Sequence, residues 1–158
     1  MQKITPFLWF NNNAGEAIDH YTSIFKNSKT INVRRYGKTG PMPEGTVMTG
    51  TIELEGQQFM LLNAGPMFSF TPAISLFVNC ETQEEVDYYW EQLIADGGKE
   101  SQCGWLKDQF GVSWQIVPKA LSQCLGGDDK EGSARALQAM LQMQKIIVED
   151  LENAYAGK

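Results

Sequence analysis

His20 is the sole histidine among 158 residues. One imidazole removes every site that needs two, the HExxH zincins and histidine-rich metal cages among them. It lies beside Ala17, Ile18, Tyr21, Ile24 and Phe25, apolar residues at helical spacing. It is therefore expected to pack on a helix rather than to serve as a general base. Cys80, Cys103 and Cys124 are widely spaced and form no CxxC pair, which sets aside zinc ribbons and thioredoxin-like redox chemistry. Cys103 would need a base or a cation to act as a nucleophile; Lys107 offers charge and nothing offers a base. The three are read as reduced, partly buried thiols. Lys107 and Asp108 fall at a hairpin turn, where turn chemistry and solvation account for them. Glu53 and Glu55 flank another hairpin, and neither spacing requires two carboxylates in one pocket.

The whole-chain balance narrows the classes further. Thirteen Lys and Arg against nineteen Asp and Glu give a net charge of −6 and a pI near 4.8. Nucleic-acid surfaces need basic patches to neutralise phosphates, and the only adjacent basic pair is Arg34–Arg35. No apolar run approaches the roughly 20 residues that span a bilayer. The first residues, Met1 to Pro6, lack the apolar core of a signal peptide. The expectation is a soluble, cytoplasmic chain that partners neither nucleic acid nor membrane. Hydrophobic residues at 42% and charged residues at 20% support a packed interior.

The elements that must position any site repeat. Phe10 to Tyr21 resembles Val78 to Tyr89 at an offset of 68, with Ile18-Asp19-His20-Tyr21 on Val86-Asp87-Tyr88-Tyr89. A short apolar strand precedes each helix, Phe7 to Phe10 and Ser75 to Val78. Asn13 with Glu16 and Thr82 with Glu85 read as capping boxes. Asp96-Gly97-Gly98 ends the second helix. Thr30–Tyr36 and Thr46–Leu54 read as strands around a Gly/Pro loop, and Glu55-Gly56 turns into a strand from Gln57 to Leu62. In the second half Gln102–Leu106 reads as a strand, Lys107–Gly111 as a turn and Val112–Val117 as a strand stopped by Pro118. Each half thus reads strand–helix–strand–strand–strand. Residues 119–158 have no counterpart. Lys119–Leu125 is expected to be a helical turn. Ser133 is expected to cap a helix with the stripe Leu137, Met140, Leu141, Ile147, Val148, Leu151 and Tyr155, and strand-prone Lys145–Val148 can interrupt it. Such a stripe must cover a sheet or a second subunit.

The paired βαβββ pattern resembles the vicinal oxygen chelate superfamily of glyoxalase I, bleomycin-resistance proteins and extradiol dioxygenases. Ile4–Phe10, Ala17–Tyr21, Pro72–Cys80, Cys103–Pro118 and the tail around Leu137–Tyr155 are similar to its PhnB-like branch, Cys103–Pro118 most specifically. The resemblance implies an α+β fold: two modules, 1–66 and 67–118, forming a cupped, mostly antiparallel sheet, with a helical C-terminal extension, 119–158. It also implies a homodimer whose cup holds a small-molecule ligand.

Metal-dependent relatives place His, Glu or Gln on the first and last strand of each module. The corresponding positions here are Thr5 (or Pro6), Met60, Ala73 and Gln115. Only Gln115 offers a suitable donor, so no metal and no cofactor are expected. Strand alternation then turns Phe7, Trp9, Gln58, Met60, Leu62, Ser75, Phe77, Ser113 and Gln115 into the cup, with Thr5, Ala73 and Val117. Leu8, Phe10, Phe59, Leu61, Leu76, Trp114 and Ile116 face the helices. An apolar, aromatic lining with a few amides and hydroxyls suits a small hydrophobic or aromatic ligand.

The leading expectation is a metal-independent binder. The alternatives are a superfamily enzyme (glyoxalase-like isomerase or lyase, or dioxygenase, anchored at Gln115, or the methyltransferase its relatives are labelled as), and an interaction protein whose cup its own side chains fill. Some PhnB-like proteins carry the label 3-demethylubiquinone 3-methyltransferase. Gly97-Gly98 and Gly126-Gly127 do not make the Gly-rich strand-to-helix loop of a doubly wound cofactor fold.

Overall fold

The computed structural model describes residues 2–158. The chain divides into two compact units, Met1–Phe70 and Thr71–Lys158. The first contains β1 (Phe7–Phe10), α1 (Ala14–Ile24), β2 (Ser28–Arg35), β3 (Val47–Leu54) and β4 (Gln57–Asn63). Its strands lie in the order β1-β4-β3-β2. The β1–β4 pair is parallel and the others antiparallel. Glu55 and Gly56 close the β3–β4 hairpin with φ of 48° and 84°, the paired left-handed turn that suits the twist of the strands.

The second unit repeats the plan with β5 (Ser75–Cys80), α2 (Gln83–Ile94), β6 (Lys99–Glu100), β7 (Trp105–Lys107) and β8 (Ser113–Pro118). The order is β5-β8-β7-β6, again with one parallel pair, β5–β8. The α+β reading and the strand–helix–strand–strand–strand repeat both hold. The repeat is slipped inside the second unit. Phe7 pairs with Met60, whereas Gln115, the counterpart of Met60, pairs with Phe77 instead of Ser75. A slip by an even number of residues keeps each side chain on its face.

One face of each sheet is closed by its helix. In the first unit Ala17, Ile18, Tyr21 and Ile24 of α1 are buried, as are Ile52, Leu54, Phe59 and Leu61 of β3 and β4. A Cβ at Gly50 would collide with Ile18, so glycine there lets α1 sit close on β3. In the second unit Val86, Trp90 and Leu93 of α2 are buried together with Leu106, Trp114 and Ile116. Each buried Val, Leu, Ile or Phe among them contributes about 1.5–3 kcal/mol by leaving water.

Several local expectations are corrected. Asn13 precedes α1 but makes no capping bond; Asn63 Oδ1, at the far end of β4, accepts the Ala14 N–H at 2.8 Å. Thr82 does cap α2, its hydroxyl accepting from Glu85 N at 3.3 Å, and Glu85 Oε2 accepts from Glu81 N at 2.7 Å. Gln102–Leu106 is not one strand. The chain turns at Cys103 and Gly104, with φ of 58° and 82°, and only Trp105 onward pairs. Ile31 is 43% exposed because β2 bulges between Thr30 and Asn32.

Residues 119–158 fold as α3 (Lys119–Leu125), α4 (Lys130–Met140) and α5 (Val148–Ala156). Asp129, not Ser133, caps α4, accepting from Glu131 N at 3.1 Å. Ser133 Oγ instead donates to Cys124 O at 2.8 Å. The continuous stripe breaks after Met140. Cys124, Ala136, Ile146 and Leu151 form the buried cluster, while Leu137 and Leu141 are exposed. The linker between α4 and α5 docks on the rest of the unit. Met143 O and Gln144 O accept the Cys103 and Gly104 N–H groups at 2.8 and 2.7 Å. Gln83 bridges Ile146 O at 3.1 Å and Val148 N at 2.7 Å. Lys145 Nζ lies 2.7 Å from Asp87 Oδ1.

Candidate functional site

The strand registers decide which predicted residues share a face. In the first sheet the pairs build three rows across the face turned away from α1: Phe7–Met60–Thr51–Asn32, Trp9–Leu62–Thr49–Arg34, and Gln58–Glu53–Lys29. All five residues expected on this sheet, Phe7, Trp9, Gln58, Met60 and Leu62, stand on that face. Each is half-buried or exposed, while their neighbours Phe59 and Leu61 are buried. Trp9 is fixed in orientation. Its Nε1 donates to Gly65 O at 2.9 Å and its ring meets Phe68 edge-on, 4.9 Å between centroids.

In the second sheet the rows are Phe77–Gln115–Trp105 and Ser75–Ser113–Lys107–Lys99. Ser75, Phe77, Ser113 and Gln115 therefore share a face as expected. Gln115 Nε2 donates to Ser75 Oγ at 2.9 Å, which fixes the amide. Phe77 stands 53% exposed, but Ser113 is closed off at 3%.

Sequence reading missed the far halves of both faces. Thr49, Thr51, Asn32 and Arg34 complete the first, Trp105 and Lys107 the second. The signal was present in β3, where Thr49, Thr51 and Glu53 alternate with Gly50, Ile52 and Leu54. Alternation of that kind marks a half-buried strand. Phe68 follows β4 in a loop, and nothing in its spacing points to Trp9.

The other chemically suggestive groups serve the fold. Asp108 is buried, not solvated: Oδ1 accepts from Phe110 N at 2.9 Å and Val112 N at 3.0 Å, and Oδ2 from Trp114 Nε1 at 2.9 Å. Asn63 is equally buried. Besides Ala14 it binds Val47 O through Nδ2 at 3.0 Å, and its own carbonyl accepts from the Tyr36 hydroxyl at 2.8 Å. Burial, with Glu85 nearby, pushes the Cys80 thiol up to about 12, the wrong direction for a nucleophile. Cys103 sits in the β6–β7 turn rather than on a strand. His20 lies on α1, on the helix side of its sheet. A cleft of about 440 Å³ opens there between the start of α1 and the β2–β3 edge, lined by Glu16, Asp19, Arg35 and Asn63 among others.

A metal fits the open faces poorly. Met60 is registered against Phe7, and Gln115 against Phe77 and Trp105; thioether and aromatic groups are not donors for a hard divalent cation. Among the described residues no three His, Cys, Asp or Glu side chains gather as a metal site. No helix there is long and apolar enough to cross a membrane.

Two βαβββ units, each a mixed four-stranded sheet with one parallel pair and a helix on one face, define the glyoxalase/bleomycin-resistance fold. The family described as 3-demethylubiquinone-9 3-methyltransferase matches residues 2–117, and the chain belongs to that PhnB-like family. A PhnB protein from Bacillus cereus, described as a proposed 3-demethylubiquinone-9 3-methyltransferase, is 43% identical, with a TM-score of 0.70 over 74% of this chain and 99% of that one. Protein PA1353 from Pseudomonas aeruginosa is 20% identical, with a TM-score of 0.63 over 75% and 98%. A mutant of the fosfomycin resistance protein FosX from Listeria monocytogenes, complexed with Mn(II) and 1S,2S-dihydroxypropylphosphonic acid, shares the fold at 15% identity and a TM-score of 0.50 over 72% and 90%. No curated protein matches the chain.

Proposed function

We propose that the protein is a metal-independent, homodimeric binder of a small hydrophobic or aromatic molecule, with Phe7, Trp9, Gln58, Met60 and Leu62 as the contact residues of the first open face and Ser75, Phe77 and Gln115 as those of the second, where Ser113 is buried. The observation that carries this reading is exposure. Phe7 and Phe77 stand 50% and 53% exposed on the outermost strands β1 and β5, each on the face turned away from the helix and beside an indole or an amide locked by its own hydrogen bond. A face filled by its own side chains would bury those rings. Exposed large apolar residues cost free energy in water, and a ligand or a second subunit would cover them. Ile4, Met67 and Phe68 near the first face, and Ile74 near the second, are 86%, 76%, 60% and 76% exposed, which supports the dimer. We assign the protein to the cytoplasm because its three thiols are unpaired, the state a reducing compartment keeps.

The family's description names a methyl transfer. Both sheets here combine one parallel pair with antiparallel pairs, unlike the doubly wound parallel sheet that cradles a nucleotide cofactor at its switch point. The open-face residues offer amides and hydroxyls to orient a ligand and no imidazole to move a proton. Binding is the chemistry they support best.

The test is a fluorescence titration with N-phenyl-1-naphthylamine, a neutral aromatic probe that brightens in apolar surroundings. The expected result is saturable binding that EDTA leaves intact and that Trp9→Ala or Met60→Glu weakens about tenfold, the order of one large apolar contact. Loss of binding with EDTA, or no response to either substitution, would overturn the proposal.

A further inference from the structure

The registers also sort the charges. The chain holds 19 acidic against 13 basic residues, yet its open faces reverse that bias. Lys29 and Arg34 of β2 stand on the first open face, and Lys99 and Lys107 of β6 and β7 on the second. Among the described strand residues Glu53 is the one carboxylate in those rows, and Lys29 Nζ holds its Oε1 at 3.1 Å. Glu100, next to Lys99, pairs with Leu106 on the helix side and accepts from Trp90 Nε1 at 2.8 Å. The excess positive charge therefore falls on the same faces as the exposed aromatic rings.

Arg34 and Arg35 differ in what they do. Arg35 Nη1 donates to Gly45 O at 2.9 Å, and Arg35 lines the cleft on the helix side. Arg34 ends the row that begins at Trp9 and passes through Leu62 and Thr49. It is exposed and is in none of the ion pairs among the described residues, which involve Lys29, Lys119, Arg135 and Lys145. Three strand spacings put its Cα roughly 14 Å from that of Trp9, about the span of a two-ring molecule with one polar end. A planar guanidinium grips a carboxylate or sulfonate through two parallel N–H···O bonds.

We infer that the ligand of the first open face is an organic anion. Its apolar body lies on Phe7, Trp9 and Met60, and its acidic group is held by Arg34 at the β2 edge. The hydroxyls of Thr49 and Thr51 stand between the two ends. This inference rests on the binding reading above and adds the charge class and its recognising residue.

Two nearly isosteric probes test it: neutral N-phenyl-1-naphthylamine and its sulfonated counterpart, 1-anilinonaphthalene-8-sulfonate. The readout is the ratio of their affinities. The wild-type protein is expected to favour the sulfonate, and 0.5 M NaCl to shrink that preference by screening. Arg34→Gln should reduce the ratio about fivefold, and Arg34→Lys should restore part of it. Arg35→Gln, one position away and on the other face, should leave the ratio as it is. A ratio untouched by Arg34→Gln, or lowered equally by Arg35→Gln, would overturn the inference while leaving the binding reading intact. If Trp9→Ala weakens neither probe, the binding reading itself falls and this inference with it.

Discussion

The two units share one strand order and secure it by different means. In the first, a single amide at the end of β4 makes the ties: Asn63 caps α1, holds Val47 of β3 and receives the Tyr36 hydroxyl through its carbonyl. In the second, α2 is capped locally by Thr82. The polar anchor there is Asp108, in the turn before β8, which gathers two backbone N–H groups and the Trp114 indole. The second unit also has shorter middle strands, β6 and β7, and the α4–α5 linker hydrogen-bonds along their turn. The apolar face under each helix is what the repeat preserves. The polar ties that close its ends are free to move, provided every buried donor finds an acceptor.

Breaking these ties should rank them. Asp108→Ala strands three donors, two of them buried, and should cost about 3 kcal/mol in chemical denaturation. Asn63→Ala removes two side-chain bonds from the first unit and should cost about 2 kcal/mol. An Asp108→Ala protein as stable as the wild type would show that the turn, not the carboxylate, holds β8.

The linker's dock on α2 comes next. Gln83→Ala removes both bonds to the linker and should cost about 1–2 kcal/mol, with faster amide hydrogen exchange across α5. The dock should also weaken in acid. Hydrogen bonding from Lys145, then from Gln83, holds the Asp87 carboxyl below the ordinary value of 3.8. A depressed carboxyl stabilises the fold above that value and loses its contribution as the pH falls through its lowered pKa. Exchange protection of α5 that ignores both the substitution and the acid would contradict this account.

The smallest effect sharpens the contrast between the caps. Thr82→Ala should cost about 1 kcal/mol. Asn13→Ala, at the matching position of the first unit, should cost about 0.5 kcal/mol or less. Equal losses would mean that Asn13 does cap α1 in solution.

What the sequence made legible follows from the range of each interaction. Counting in twos along Phe7–Phe10 and Gln57–Leu62 from the ligand positions that the family resemblance implies sorted the residues onto sheet faces, because strand alternation depends only on neighbouring residues. Thr82 and Glu85 announced their cap for the same reason. Asn13 misled because a long-range partner, Asn63, had taken over the capping bond. Asp108 was read as a solvated turn residue. Its burial depends on Trp114 reaching back across the turn, which no local pattern reports. Arg34 was visible only as half of a basic pair. Its separation from Arg35 required the β2–β3 register, shifted between those two residues.

The most direct test of the central claim is native mass spectrometry of the purified protein, with metal analysis on the same sample. Open faces that hold an organic molecule without metal predict a metal-free dimer, carrying a small organic anion where one has survived purification. One divalent metal per subunit, lost on Gln115→Ala, would contradict the claim and favour a metal-assisted enzyme instead.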